Sequence, residues 1–228
     1  MKKRPARTAE AGGNGGRQTR KRGIIFMNQE QTNTTRRTRN AVLIAMFGAI
    51  SMVLMLLEFP IPIAPPFMKI DLSDLPAILG TFMIGPGAGA GIAALKIVLK
   101  LVIKGTDTAF VGELSNFVCA LMYILPSYFF YHKKKSKKRA ALSLLLGTLA
   151  VSILAVFVDY FIMFPLYSKL YGMPLKAIVA MGTAINSHIN SLFTMMLIIV
   201  FPFNIIKYGI VSVITFIAYK RLKKALIR

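Results

Sequence analysis

A single cysteine in 228 residues, Cys119, rules out an internal disulfide and any cysteine-based metal site. It stands inside an apolar run and reads as a small hydrophobe, so no metal centre is expected. With two histidines, and with no His-Glu-x-x-His, Gly-x-Ser-x-Gly or clustered-Asp motif, the usual catalytic constellations lack their parts, so no enzyme is expected. A Gly-x-x-x-x-Gly-Lys-Ser/Thr loop is also missing, and any ATP that drives this chain has to be bound by another protein. Acidic residues are scarce: eight stand against 29 Lys and Arg, a formal net charge of +21. Such an excess suggests a nucleic-acid partner until its distribution is considered. Eleven basic residues fall in 1–40, six in 133–139 and five in 220–228, and each block flanks an apolar stretch. They read as topology signals, and no nucleic-acid partner is expected.

What the chain has in abundance is apolar surface. A hydrophobic fraction of 55% and a mean hydropathy of +0.61 exceed what one soluble core needs, which makes the lipid bilayer the expected solvent. Residues 1–39 carry no periodic apolar face and read as a disordered basic extension, with Met27 a second candidate for the start of translation. Residues 40–228 form the membrane domain. A bilayer core about 30 Å thick needs roughly 20 helical residues, and breakers mark where such runs stop. The first span covers 41–57, ended by Glu58 and the proline-rich segment 59–66. Asp71-Leu-Ser-Asp-Leu-Pro76 starts the second, with Ser73 or Asp74 as cap, and Gly85-Pro86-Gly87 ends it. The third reaches 103, with small residues Gly87 to Gly91 permitting close helix contact. The fourth covers 110–131 and the fifth 140–167. The region 189–219 is too long for one simple span, and Pro202 is expected to divide it into an outer segment and a sixth span of about eighteen residues. Six transmembrane helices place all three basic blocks, and both termini, in the cytoplasm. The expectation is therefore an all-α, multi-pass cell-membrane protein.

Ionisable residues in or beside a span are functional candidates. Under this topology Glu58, Asp71, Asp74, Asp107, Glu113 and Asp159 lie in outer loops or the outer half of a span. Asn204 and Lys207, three apart, share one helix face near the same surface. Two readings are open. These groups form an outward pocket for a small polar-headed ligand with a flat apolar body, or Asp159 and Lys207 lock two helices as an ion pair. Lys96, Lys100 and Lys104 make a four-residue ladder on the third span. Lys100 and Lys104 are expected to snorkel to water, and Lys96 to pair with a carboxylate or face a wet cavity. Ala41, Ala45 and Ala49 give the first span a flat stripe, for a partner helix or for internal packing.

Phe59-Pro-Ile-Pro-Ile-Ala-Pro-Pro-Phe-Met-Lys-Ile-Asp-Leu-Ser-Asp-Leu-Pro76, Gly85-Pro86, Val111-Gly-Glu-Leu-Ser-Asn-Phe117, Phe164-Pro-Leu-Tyr167 and Pro202-Phe-Asn-Ile-Ile-Lys207 occur in order along the chain. From about Asn40 to the end, this pattern resembles the riboflavin-specific substrate-binding subunit (S component) of energy-coupling factor (ECF) transporters. The resemblance implies six helices with riboflavin held near the outer surface as transported ligand, beneath the loop between the first two spans, and no further cofactor. It implies that Asn204 and Lys207 contact the flavin or its ribityl chain, that Gly112 and Asn116 border the site, and that Met68, Lys69 and Asp71 belong to the covering loop. It also implies a membrane coupling subunit and two cytoplasmic ATPases as partners, with Ala41, Ala45 and Ala49 facing the coupling subunit. Asp159 departs from the pattern, which commonly has Asn before Tyr there. An ionised carboxylate accepts from a ring N–H but repels the neighbouring carbonyl oxygens. Flavin mononucleotide (FMN), another vitamin, or a membrane role other than transport are the alternatives.

Overall fold

The structure, a computed structural model, describes residues 13–133 and 136–226. Two compact units divide the chain, Met1–Val42 and Leu43–Arg228. Helix α1 runs from Gly13 to Leu56, and its apolar part is Thr34–Leu56. Of the extension expected to be disordered, residues 1–12 lie outside the described part and 13–39 are helical. No proline interrupts 6–59, and the Gln, Arg, Lys and Met residues before the span are good helix formers, so a helix seeded in the apolar segment propagates outward.

After α1 the proline-rich segment closes into a hairpin. Strands β1 (Phe59–Pro60) and β2 (Lys69–Ile70) pair antiparallel, Phe59 opposite Ile70 and Pro60 opposite Lys69. Between them the chain turns through Ala64 N–H to the Ile61 carbonyl and Met68 N–H to the Pro65 carbonyl. The remaining helices are α2 (Asp74–Met83), α3 (Pro86–Ile103), α4 (Val111–His132), α5 (Lys137–Val158), α6 (Phe164–Tyr171), α7 (Leu175–Ile185), α8 (Leu192–Met195) and α9 (Phe201–Leu226). Ser73 sits at the cap position of α2, but its side chain makes no cap bond; its hydroxyl is committed to Asp71 and Lys96.

Five helical stretches are long and apolar enough to cross a membrane: Thr34–Leu56, Pro86–Ile103, Val111–His132, Lys137–Leu170 and Leu192–Tyr219. The second expected span is the short α2, ten residues long and buried along most of its length. The division of the last apolar region expected at Pro202 does not occur. Instead the region is one 28-residue helical run, because a wide turn at Met196–Val200 precedes the proline and the Phe201 N–H reaches back to the Met196 carbonyl. A proline has no N–H to give and its ring crowds the preceding turn, so loosening that turn by one residue keeps the helix continuous. The same device joins α5 to α6. Residues Asp159–Met163 form a wide turn just before Phe164-Pro165, with the Phe164 N–H bonded to the Asp159 carbonyl.

Burial runs opposite to that of a soluble bundle. Along α5 and its continuation the large residues Leu145, Leu149, Ile153, Phe157 and Phe161, four apart, are exposed, while Ala140, Ser143, Gly147, Thr148, Val151 and Ala155 face inward. Lipid accepts the large apolar faces, and small residues let the backbones approach. One packed cluster joins α2 to α5 and α9 around Ile78, Ile92, Tyr123, Ile124 and Tyr208; a second joins the hairpin to α6 through α9 around Ile70, Phe164, Ile178, Met196 and Phe203. Of the small residues opening α3, Gly89 makes the close contact: a Cβ there would collide with Thr81 Oγ1 and the Ala77 carbonyl, whereas at Gly87 it would meet nothing. Replacing Gly89 by Ala should therefore destabilise the protein by about 1–3 kcal/mol, and Gly87→Ala should leave it nearly unchanged, as read by thermal unfolding in detergent.

Candidate functional site

Beneath the hairpin lies a cavity of about 400 Å³. Its walls come from the end of α1, the hairpin, α3, α4, the wide turn at Asp159, α6 and α9. Asn204, Lys207, Asp159, Gly112, Asn116, Met68, Lys69 and Asp71 all line it. The sequence brought these eight forward, and the fold gathers them in one place.

An ionic lattice holds the walls together. Lys207 Nζ, on α9, donates to Asp71 Oδ2 at 2.9 Å, and both side chains are buried. Asp71 Oδ1 accepts from the Ser73 N–H at 2.8 Å and from the Ser73 hydroxyl. Lys96, with 0% exposure, donates to Asp74 Oδ1 at 2.5 Å, Ser73 Oγ at 2.7 Å and Asn116 Oδ1 at 2.8 Å. All three of its protons are used. Lys100 bonds Glu113, whose other oxygen accepts from Thr106 and Thr108, each at 3.0 Å. At the mouth, Glu58 Oε1 accepts from both Lys69 and Lys104 at 2.8 Å.

Two readings of the sequence change accordingly. Lys100 does not snorkel; it is buried against Glu113, because α4 starts beside it and brings that carboxylate within reach. Nor does Lys207 pair with Asp159. Asp71, on the extended segment leading into α2, takes the ammonium, and the described partner of Asp159 is the Ser115 hydroxyl at 3.4 Å. Lys96 does pair with a carboxylate, as one of its two readings had it.

Burial by itself would raise the Glu58 carboxyl at the mouth. The hydrogen bonds and charges of Lys104 and Lys69 outweigh it and bring the group below its ordinary value. A depressed carboxyl contributes stability that is fully present above the unfolded carboxylate pKa and is lost only as pH falls through the folded value. The ion pairs at the mouth are thus intact throughout the neutral range.

Much of the remaining wall is aromatic and thioether: Met55, Phe67, Met163, Phe164, Tyr167, Phe203 and Tyr208. Phe67 of the hairpin stacks on Tyr167 with centroids 5.4 Å apart. These wall residues, with Ser115 and Cys119, were not read as site residues from the sequence, although spacing carries a signal. Gly112, Ser115, Asn116 and Cys119 share one face of α4, and Phe203, Asn204, Lys207 and Tyr208 one face of α9.

Residues 39–219 match the family of ECF transporter substrate-specific components. The chain belongs to this family. Its relatives include the riboflavin transporter FmnP of Bacillus subtilis, 36% identical over 188 residues that cover 82% of this chain and 93% of that protein. The riboflavin transporter RibU of Staphylococcus aureus is 31% identical over 207 residues, covering 89% of this chain and all of that one. A solved structure described as the S component of a bacterial ECF transporter superposes with a TM-score of 0.66 at 31% identity, over 84% of this chain and 99% of that chain. The ECF substrate-specific components are transport proteins rather than enzymes, in keeping with the missing catalytic motifs, and the apolar helices make this member a multi-pass membrane protein.

The lattice separates structural from spare groups. Removing Lys96 with Lys96→Ala strands a buried carboxylate and should cost about 3–5 kcal/mol. Asp159→Asn, which breaks no ion pair among the described residues, should stay within about 1 kcal/mol of the parent. Parallel thermal melts of the two variants in detergent check the contrast.

Proposed function

We propose that the chain captures riboflavin from the outer face of the cell membrane and mediates its uptake as the S component of an ECF-type transporter, with energy from partner ATPases. The observation that carries this reading is the convergence of the eight residues in one 400 Å³ cavity roofed by the hairpin. The volume suits a vitamin-sized ligand. Aromatic and methionine walls suit a flat heteroaromatic ring, and Asn204, Asn116, Lys207 and Asp159 supply the polar contacts that fix its orientation. The relatives named as riboflavin transporters support the choice of ligand.

The proposed topology has six crossings and both termini in the cytoplasm. Five are the long spans. The sixth is made by α2 with residues 69–72 that lead into it, the first two of them β2. Ten helical residues rise about 15 Å, and four residues as extended as a strand add roughly 13 Å. Together they come close to the thickness of the apolar core of a bilayer, about 30 Å. Non-helical backbone is tolerated at such depth only when protein encloses it, and Ile70, Asp71 and Ser73 are buried, with Asp71 and Ser73 hydrogen-bonded within the lattice. An even count puts the three basic blocks on one side, as the positive-inside rule requires. Residues 1–39 are proposed as an extension to the domain that starts at residue 40.

For partners, the reading supplies a membrane coupling subunit and two cytoplasmic ATPases. Ala45 and Ala49 are exposed on α1, as is Ala41. The α1 span is the least buried of the five, 17% against 33–44% for the others, which favours a docking face over internal packing.

Titrating the detergent-purified chain with riboflavin should quench flavin fluorescence to saturation. Lys207→Ala and Asn204→Ala should each weaken binding at least tenfold. If both variants titrate like the parent, these residues do not hold the ligand. Ala45→Trp should keep riboflavin binding while abolishing co-purification with the coupling subunit. Retained co-purification would move the docking face elsewhere.

A further inference from the structure

Charge in residues 43–228 is sorted between two ends. The six acidic side chains all stand at the cavity end: Glu58, Asp71, Asp107, Glu113 and Asp159 line the cavity, and Asp74 pairs with Lys96 in the lattice behind it. Helix α4 leaves the cavity at Gly112 and, at about 1.5 Å per residue, carries Lys133 roughly 30 Å away, the apolar thickness of a bilayer. At that far end α5 begins with Lys137, Lys138 and Arg139. Helix α9 reaches the same end, because the Tyr131 and Tyr219 hydroxyls bond at 2.6 Å, two residues before Lys133 and Arg221 respectively. The segments 133–139 and 220–228 together hold eleven Lys and Arg and no Asp or Glu. We propose that this far end binds an anionic phospholipid, a second site independent of whatever ligand the cavity takes.

The place of the cations on their helices carries the choice of lipid. Exposed apolar stripes, the faces that meet acyl chains, run directly into exposed cations. On α4, Leu125 and Phe129 are followed four residues on by Lys133. On α5, Lys138 heads the stripe of Leu142, Leu145 and Leu149. On α9, Val213 and Ile217 lead to Arg221. A phospholipid with its tails along such a stripe brings its phosphate level with the cation at the stripe's end. An acidic protein surface would meet the cations but not the apolar residues beside them. Among the described residues, none of Lys133, Lys137, Lys138, Arg139 and Arg221 has a carboxylate partner, so their charge is available. Lys69, Lys96, Lys100, Lys104 and Lys207, at the cavity end, are each bonded to a carboxylate. Nor do the far cations serve their own helix: the first turn of α5 has three of them and no acid, and the positive end of the helix dipole opposes them.

The test reconstitutes the full chain in phosphatidylcholine vesicles with a small fraction of spin-labelled lipid, and compares phosphatidylglycerol with phosphatidylcholine as the labelled species. Phosphatidylglycerol should be preferred about fivefold in the protein-restricted component, and added salt should reduce that preference. Lys133→Gln with Lys138→Gln should cut it at least twofold. Lys169→Gln with Lys176→Gln, exposed positions on α6 and α7 at the cavity end, removes the same charge and should leave it unchanged. Arg221→Gln probes the far end from α9 and should also lower the preference, which keeps the proposal falsifiable if the first pair does not fold. Glycerophosphate, the headgroup chemistry without tails, should not compete. Absence of a preference in the parent chain would overturn the proposal. Equal losses in the two lysine pairs would overturn it in favour of net charge, and competition by glycerophosphate as strong as by unlabelled phosphatidylglycerol would overturn it in favour of a free-anion site. A preference unmoved in the folded far-end variants, with co-purification of the coupling subunit lost instead, would overturn it in favour of a protein partner.

Discussion

Buried lysines in a lipid-spanning bundle impose the constraint on which this structure turns. Lys96 and Lys100 on α3 and Lys207 on α9 are all within the protein interior, where an unpaired ammonium would be prohibitive. Each must be met by a carboxylate that another segment delivers. Asp71 and Asp74 arrive on the extended stretch and first residue of α2, and Glu113 on the first turn of α4. This requirement explains why the path from hairpin to α2 is not a full-length helix. An extended chain exposes its own amides and carbonyls, but here they are enclosed, and the Ser73 N–H is bonded to Asp71. Pairing Asp71 with Lys207 also ties the base of the hairpin to the last helix, so the roof of the cavity is fixed by the interaction that neutralises its floor.

Two wide turns then set the remaining walls. Each precedes a Phe-Pro pair, and each keeps a long helix continuous where proline would otherwise break it. Asp159 opens the first. Asn204 comes just after the second, and its Nδ2 donates to the Val200 carbonyl at 2.9 Å, inside that turn. The prolines thus do more than punctuate: the extra residue in each turn rotates the helix beyond it and brings Asp159, Met163 and Tyr167 from one helix toward Phe203, Asn204 and Lys207 of the other.

Much of this was legible in the residues, for identifiable reasons. Apolar runs, breakers and the placement of basic blocks carry the spans, because transfer to lipid depends on composition more than on tertiary detail. The loop between the first two spans and the Asn204 and Lys207 face could be found from local motifs, but not the pairing of that loop into a hairpin, which rests on contacts about ten positions apart. Partner choice could not. Lys207 is 136 positions from Asp71, and nothing in spacing distinguishes that carboxylate from Asp159. The continuity through Pro202 was hidden for a related reason. A local rule says that proline ends a helix, and only the turn before it, held by packing of Met196, Ile199 and Val200 in the second cluster, decides otherwise. Ser73 shows the same override, its hydroxyl drawn from a helix cap into the lattice.

Saturation of the lattice has a consequence for what a ligand must bring. Lys96 has spent every proton, Glu113 is met on both oxygens, and Asp71 is held by Lys207 and Ser73. Groups so committed hold the walls and have little left to offer. Capacity remains on Asp159, whose described contact is the 3.4 Å bond from Ser115, and on Asn204, whose Nδ2 gives one of its two protons to Val200 and whose Oδ1 has no described bond. Both can accept, and Asn204 keeps one N–H besides. Lys207, with one described hydrogen bond to Asp71, retains donors beside them. A ligand that fills this space therefore has to present N–H or O–H groups to two acceptors and an oxygen or ring nitrogen to an ammonium, all within an aromatic slot. A flat ring carrying an imide edge and a chain of hydroxyls meets those demands, whereas a purely apolar body of the same size would leave the acceptors buried and unpaired.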